Sequence, residues 1–257
     1  MHSSQSFLFL SKQSVYMMQK IPLENFLVID IETVSGRKDF NALDDDWKKL
    51  WEEKIQYSLP ENTTADGYYP QRAGIMAEFA KVICICIGYF KKEGNTYRFR
   101  IKSISGDDEK ELLQKFVATI QQFESVNNKW SFTGHNIKEF DIPFICRRLL
   151  INGIAIPEYL DFQNMKPWET NIIDTFQYWR FGDYKHYTSL KLLAAAMGVP
   201  SPKDDIDGSM VGAVYWQMND LQRIVTYCCK DVATVANIIL RFKGLPLLKG
   251  DDVVIVK

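Results

Sequence analysis

The sequence predicts an α/β domain of three layers, with a mixed central sheet whose first three strands form an antiparallel meander and with helices on both faces. Three observations lead there. The early part of the chain reads as strands, two of them joined by the tight turn Glu93-Gly94-Asn95. The later part alternates helical periodicity with short apolar runs. The 257 residues, 46% of them hydrophobic and 25% charged, suffice for one large core.

The elements follow in order. A first strand spans about 26–32, around the apolar run Leu27 to Ile29. A polar, aromatic-containing excursion runs from Ser35 to about Ile75; within it Asp44–Lys54 reads as a helix and Gly67-Tyr68-Tyr69-Pro70 as loop. Val82–Phe90 and Thr96–Ser105 are strands. Asp107–Phe123 is helical, with acidic residues in its first turn. Ser131–Thr133 ends a short strand, residues 142–151 form a helix closed by Asn152-Gly153, and Asn171–Asp174 is another short strand. Leu190–Met197 is a helix stopped by Gly198 and Pro200, and 220–242 a helix ended by Gly244 and Pro246. Val253–Val256 closes the chain as a strand. Residues 1–20 read as a disordered extension, with Met17 and Met18 as alternative starts, and 21–257 as one domain with an insertion at about 35–75.

Composition narrows the function classes. A net charge of −1 gives no global basic field, so tight binding of long duplex by bulk electrostatics is not expected. Five cysteines without zinc-site spacing read as buried free thiols in a reducing, cytoplasmic setting. No apolar stretch reaches the length of a membrane span, and the N-terminus lacks the features of a signal peptide.

Chemistry-bearing residues fall in three stretches. In Phe26-Leu27-Val28-Ile29-Asp30-Ile31-Glu32-Thr33, Asp30 and Glu32 lie two apart on a strand and share a face; such carboxylates repel unless a cation sits between them. Taken alone, the pair reads equally well as solvated side chains at a strand end. In Gly134-His135-Asn136-Ile137-Lys138-Glu139-Phe140-Asp141-Ile142-Pro143-Phe144, Asp141 stands where a helix starts, and alone reads as an ordinary N-cap. In Tyr227-Cys228-Cys229-Lys230-Asp231, Tyr227 and Asp231 are four apart on a helix face and alone read as a surface pair.

Together, the three stretches resemble the exonuclease motifs of the DEDD superfamily of 3′→5′ exonucleases, on a ribonuclease-H-like fold. Tyr227, four residues before Asp231, resembles the DEDDy branch; the wording of the second stretch is most similar to the exonuclease domain of family B DNA polymerases, here standing alone. The likeness covers about residues 22–242, and the 35–75 insertion matches nothing in it. It implies hydrolysis of phosphodiester bonds with two divalent cations, Mg²⁺ or Mn²⁺, held by Asp30, Glu32, Asp141 and Asp231. Asp30 is expected to bridge both cations, Glu32 and Asp231 to hold the one that acidifies the attacking water, and Asp141 to support the second. Tyr227 is expected to orient the water, since a phenol is a poor base near neutrality. The resemblance also implies attack at a 3′ end of single-stranded nucleic acid, DNA over RNA, with release of nucleoside 5′-monophosphates.

Asn136 matches an asparagine of that motif and either contacts the terminal nucleotide or caps a turn. Phe140 is read as core or as a base-stacking wedge. Asp174 caps the segment after it or serves as a fifth site carboxylate. Lys185, His186, Lys191 and Lys203 form a solvated basic face or touch phosphates. Phe140, Tyr178, Trp179 and Tyr184 are stacking candidates for a single strand. Two alternatives stay open: an exoribonuclease acting on RNA tails, and a non-catalytic nucleic-acid-binding module, against which the intact Asp30, Glu32, Asp141, Tyr227 and Asp231 argue. A protein partner is not legible in the sequence.

Overall fold

The computed structural model describes residues 17–256 except 128, 164, 167, 168 and 201–205. In chain order the elements are α1 (Met17–Lys20), β1 (Phe26–Ser35), α2 (Asp45–Ile55), α3 (Ala65–Arg72), β2 (Ala80–Glu93), β3 (Thr96–Ser105), α4 (Glu109–Val126), β4 (Ser131–Gly134), α5 (Asp141–Ile151), β5 (Ile172–Asp174), α6 (Thr175–Arg180), α7 (Leu190–Ala196), α8 (Val211–Trp216), α9 (Leu221–Phe242) and β6 (Val253–Val256). The strands form one six-stranded sheet in the order β5-β4-β1-β2-β3-β6. The β1–β2–β3 meander is antiparallel, and β4, β5 and β6 join in parallel. This is the mixed central sheet with an antiparallel meander that the sequence led us to expect.

Alternation along β1 divides the layers. Leu27, Ile29 and Ile31 enter a core with Leu112, Phe116 and Ile120 of α4 and Ile142, Ile145 and Leu149 of α5. Phe26 and Val28 point the other way, into a core with Val225, Cys228, Val232 and Val235 of α9. Asp30 and Glu32 continue that second set and therefore face α9. Gly88 lets α9 come close: a Cβ there would stand 2.8 Å from a Val232 methyl and 2.3 Å from the Phe99 ring.

The structure differs from expectation at identifiable points. Residues 67–70 are not loop but part of α3, capped by Thr64 and containing Pro70. Tyr69 is fully buried there, its ring edge-on to Trp51 at 5.1 Å, so tertiary packing outweighs the poor helix propensity of Gly67 and Pro70. With Trp51, Ile55 and Phe79 it gives the excursion a small core of its own. Residues 17–20, expected to belong to the extension, form the short helix α1. Met18 is 2% exposed, and Lys243 Nζ donates to the carbonyls of Met18, Gln19 and Ile21. The rest of the expected extension, residues 1–16, lies outside the described residues. Helices α6 and α8 are additional; at six residues each they are too short to show periodicity.

Candidate active site

The site begins where β1 emerges from the sheet. Asp30 stands opposite Cys86 and Glu32 opposite Cys84 on β2. Just beyond Glu32 the ladder shifts register, as strands do where side chains are re-aimed. Across from this face, α9 contributes Tyr227, Cys228 and Asp231. Asp220 starts that helix by accepting the Arg223 N–H at 3.1 Å. Tyr227 lies close enough to the Asp231 carboxylate, one turn on, for that charge to raise its pKa. Cys228 Sγ donates to Asp30 Oδ2 at 3.2 Å.

The second motif is tied to the first through the backbone. Asp141 is 4% exposed and is not an N-cap; it is the first residue of α5, and its Oδ1 accepts the Ile31 N–H at 3.1 Å. The loop leading to it is built on two special positions. Gly134 passes so close to β1 that a Cβ would sit 2.7 Å from the Ile29 carbonyl oxygen. Asn136 has a left-handed backbone, with φ of 66°.

Asp174 holds that loop in place. Its Oδ1 accepts from the Asn136 N–H at 2.9 Å and its Oδ2 from the Lys138 N–H at 3.0 Å. The same carboxylate caps α6 through Phe176 N–H at 2.9 Å. Asp174 thus caps the following helix as expected, and also fixes the second motif. His135 makes a connection that sequence reading missed. Its Nε2 lies 2.8 Å from the Thr188 carbonyl, which can only accept, so the proton is on Nε2. Its Nδ1 is 3.0 Å from Thr175 Oγ1. Burial holds its pKa below the ordinary histidine value.

Electrostatically the cluster is frustrated. Burial raises the Asp30 pKa well above the usual range, and the charges of Asp141, Glu32 and Asp231 raise it further. Glu32 is raised by burial, then chiefly by Asp231. Burial pushes Asp141 up to about 7 against the opposing Ile31 hydrogen bond. Tyr227 is raised by burial first, then by Asp231, Glu32 and Asp30. Close, buried carboxylates of this kind are a donor set for a hard dication, whose charge reverses their repulsion. Oxygens of Asp30 and Glu32 and Cys228 Sγ all lie within 4.8 Å of one another, close enough to share an ion. The residues present therefore fit divalent cations.

Other candidates are placed as follows. The buried Asn136 Oδ1 has no hydrogen-bond partner among the described residues. Phe140 packs on Phe144, with centroids 5.3 Å apart, at the edge of the α4–α5 core. Tyr178 is partly buried and packs at a tilt on Phe242, with ring centroids 4.8 Å apart. Trp179 and Tyr184 are exposed, as are Phe181 and Tyr187, which sequence reading did not single out. Tyr187 is close enough to Asp141 and Asp174 for their charges to raise its pKa, beyond the larger effect of burial. Lys185, His186 and Lys191 are exposed, and Lys203 lies outside the described residues. A hollow of about 490 Å³ beside α5, lined by Ile142, Pro143, Cys146 and Leu150 among others, has none of the four carboxylates on its wall. No described helix is long and apolar enough to cross a membrane.

Residues 75–247 match a family described as "predicted 3′-5′ exonuclease related to the exonuclease domain of PolB". The chain belongs to this family, and it is a nuclease of the 3′–5′ exonuclease kind. Exonuclease domains of this kind depend on divalent metal. Among solved structures, the chain is similar to the family B DNA polymerase from the hyperthermophilic archaeon Pyrobaculum calidifontis, at 17% identity and a TM-score of 0.48. The match covers 84% of this chain and 24% of the polymerase, so the chain spans about a quarter of that protein's length. No curated protein matches.

Proposed function

We propose that the chain is a two-metal 3′→5′ exonuclease of the DEDDy type, acting on single-stranded nucleic acid, DNA over RNA, and releasing nucleoside 5′-monophosphates. The observation that supports this reading best is the convergence of Asp30, Glu32, Asp141, Asp231 and Tyr227 on one face of β1, each coupled to the others by charge or hydrogen bond. Asp30, Glu32, Asp141 and Asp231 would hold Mg²⁺ or Mn²⁺. Bound there, the cations would lower the pKa of an attacking water and neutralise charge at phosphorus and on the leaving oxygen.

The chain's own groups do the rest. Tyr227, kept protonated by its surroundings, donates a hydrogen bond and so orients the water instead of deprotonating it. Asn136, in the same loop as Asp141, presents a buried amide oxygen with no hydrogen-bond partner among the described residues, which suits a donor on the terminal nucleotide. The exposed rings of Trp179, Phe181, Tyr184 and Tyr187 suit unpaired bases better than duplex, in keeping with the absence of a net basic field. The DNA preference follows from kinship with polymerase editing domains. The whole of residues 21–257 is read as one exonuclease unit, with the 35–75 excursion as its elaboration.

The test is degradation of matched single-stranded DNA and RNA oligonucleotides, labelled at either end, in Mg²⁺, Mn²⁺ or EDTA. Mononucleotide release from the 3′ end with metal supports the reading. Equal rates in EDTA and Mg²⁺, or faster loss of blunt duplex than of the unpaired strand, refute it.

A further inference from the structure

Four of the five cysteines meet on the sheet face that carries the carboxylates. Cys84 and Cys86, two apart on β2, point toward α9, where Cys228 and Cys229 meet them. The sulfurs of Cys84 and Cys86 are 3.8 Å apart, and those of Cys86 and Cys229 are 3.3 Å apart. Sγ atoms of Cys84, Cys86 and Cys228 all lie within 4.8 Å of one another.

We propose that Cys84, Cys86 and Cys228 form a binding site for a soft divalent cation, of the zinc or cadmium kind, adjoining the carboxylate site. Thiolates tetrahedrally arranged around such an ion, with metal–sulfur bonds of about 2.3 Å, stand about 3.8 Å apart. The Cys84–Cys86 separation matches that edge without movement. Cys229 Sγ borders the trio at 3.3 Å from Cys86 Sγ, and Asp30 Oδ2 at 3.2 Å from Cys228 Sγ; a fourth ligand would come from a small shift of either, or from water. The three thiols are fully buried.

Ligand softness separates the two sites: sulfur selects zinc, cadmium or Cu(I), and carboxylate oxygen selects Mg²⁺ or Mn²⁺. Cys228 belongs to both groupings, one with Cys84 and Cys86 and one with Asp30 and Glu32. A soft ion on the thiols takes the sulfur that now donates to Asp30, the thiol protons passing to solvent. Inhibition of the nuclease then follows, a consequence that rests on the proposed function; the binding itself does not.

The test uses the full chain, reduced and metal-free, titrated with Cd²⁺ alone while the ultraviolet cadmium–thiolate charge-transfer band is recorded. One Cd²⁺ per chain is expected, unaffected by excess Mg²⁺ and displaced by Zn²⁺. Cys84→Ser and Cys228→Ser should each weaken binding by more than about 100-fold, beyond the 10–100-fold that loss of an outer partner costs. Cys146→Ser, away from the cluster, should leave it intact. Should the buried variants not fold, the cadmium-113 shift of the unsubstituted protein distinguishes sulfur from oxygen ligation. Absence of the band, an oxygen-type shift, or unchanged binding in folded Cys84→Ser overturns the proposal. Because neither readout involves nucleic acid, a failed oligonucleotide assay leaves this result standing, and the reverse also holds.

Discussion

The backbone N–H of Ile31 donates to the Asp141 carboxylate at 3.1 Å, so the residue between Asp30 and Glu32 is the one that ties the second motif to the first. Both residues are buried. Asp141→Asn keeps an acceptor and loses the charge; Asp141→Ala leaves the Ile31 N–H unpaired, at a cost of about 1–3 kcal/mol. Both should lose activity, but only the alanine variant should lose stability on that scale. Chemical denaturation of the two variants checks this, and equal stability would mean the bond does not organise the site.

Without metal, stability should fall as pH rises. Asp141 has an ordinary value of 3.8 and is raised to about 7 in the fold, and Asp30 and Glu32 are raised as well. A group whose folded pKa is raised stabilises fully below its unfolded pKa, and that contribution is lost as pH climbs through the folded value. The melting temperature of the metal-free protein should therefore begin to drop above about pH 4 and keep falling to at least about pH 7, and Mn²⁺ should restore it most at the upper end. A flat profile in EDTA would remove the electrostatic frustration argued for these carboxylates.

Sequence made the strand of the candidate site and the last helix legible because each carries a strong local pattern: the continuous apolar run from Phe26 to Ile29 leading into Asp30 and Glu32, and the apolar stripe Ile224, Cys228, Val232, Val235, Ile239. Three-dimensional saturation of side chains was not legible. Asp174 looked like a cap because the cap is local, whereas its bonds to Asn136 and Lys138 cross 38 and 36 residues. The thiol cluster escaped notice for the same reason, since Cys86 and Cys229 are 143 residues apart and meet only through packing of α9 on β2. Tyr69 in α3 shows the opposite failure, where turn-forming neighbours concealed a ring that tertiary burial holds in a helix.

Asp174→Asn should act as a positioning variant. An amide retains one acceptor oxygen, so of the bonds to Asn136 and Lys138 one is lost, and the second motif loosens. Single-turnover rates should fall about tenfold or more while Mn²⁺ affinity at Asp30 and Glu32 changes less. Loss of metal binding equal to that of Asp30→Ala would make Asp174 a ligand instead.

Arg148 and Glu109 form a buried ion pair joining α5 to α4, each about 8% exposed. Glu109 also accepts from the Val82 N–H at 2.7 Å and from Asn152 Nδ2 at 2.9 Å, and Arg148 donates to the Ala77 carbonyl at 2.8 Å. Arg148→Ala strands the carboxylate and should cost about 3–5 kcal/mol. The paired change Arg148→Met with Glu109→Gln should cost less than either change alone, and a double-mutant cycle showing simple additivity would contradict the coupling.

The last prediction concerns Tyr227 and Asp231, one turn apart on α9 yet expected to fail differently. Burial and three carboxylates hold the phenol protonated, so it can donate a hydrogen bond and cannot act as a base at neutral pH. Tyr227→Phe should slow the chemical step by about 10- to 1000-fold, leave Mn²⁺ affinity nearly unchanged, and keep the shape of the pH–rate profile. Asp231→Ala should lose metal affinity and turnover together, because a ligand is gone. Calorimetric Mn²⁺ titration beside single-turnover rates separates the two outcomes. Wild-type turnover in Tyr227→Phe would remove the tyrosine from the mechanism, and unchanged Mn²⁺ affinity in Asp231→Ala would remove that carboxylate from the metal site.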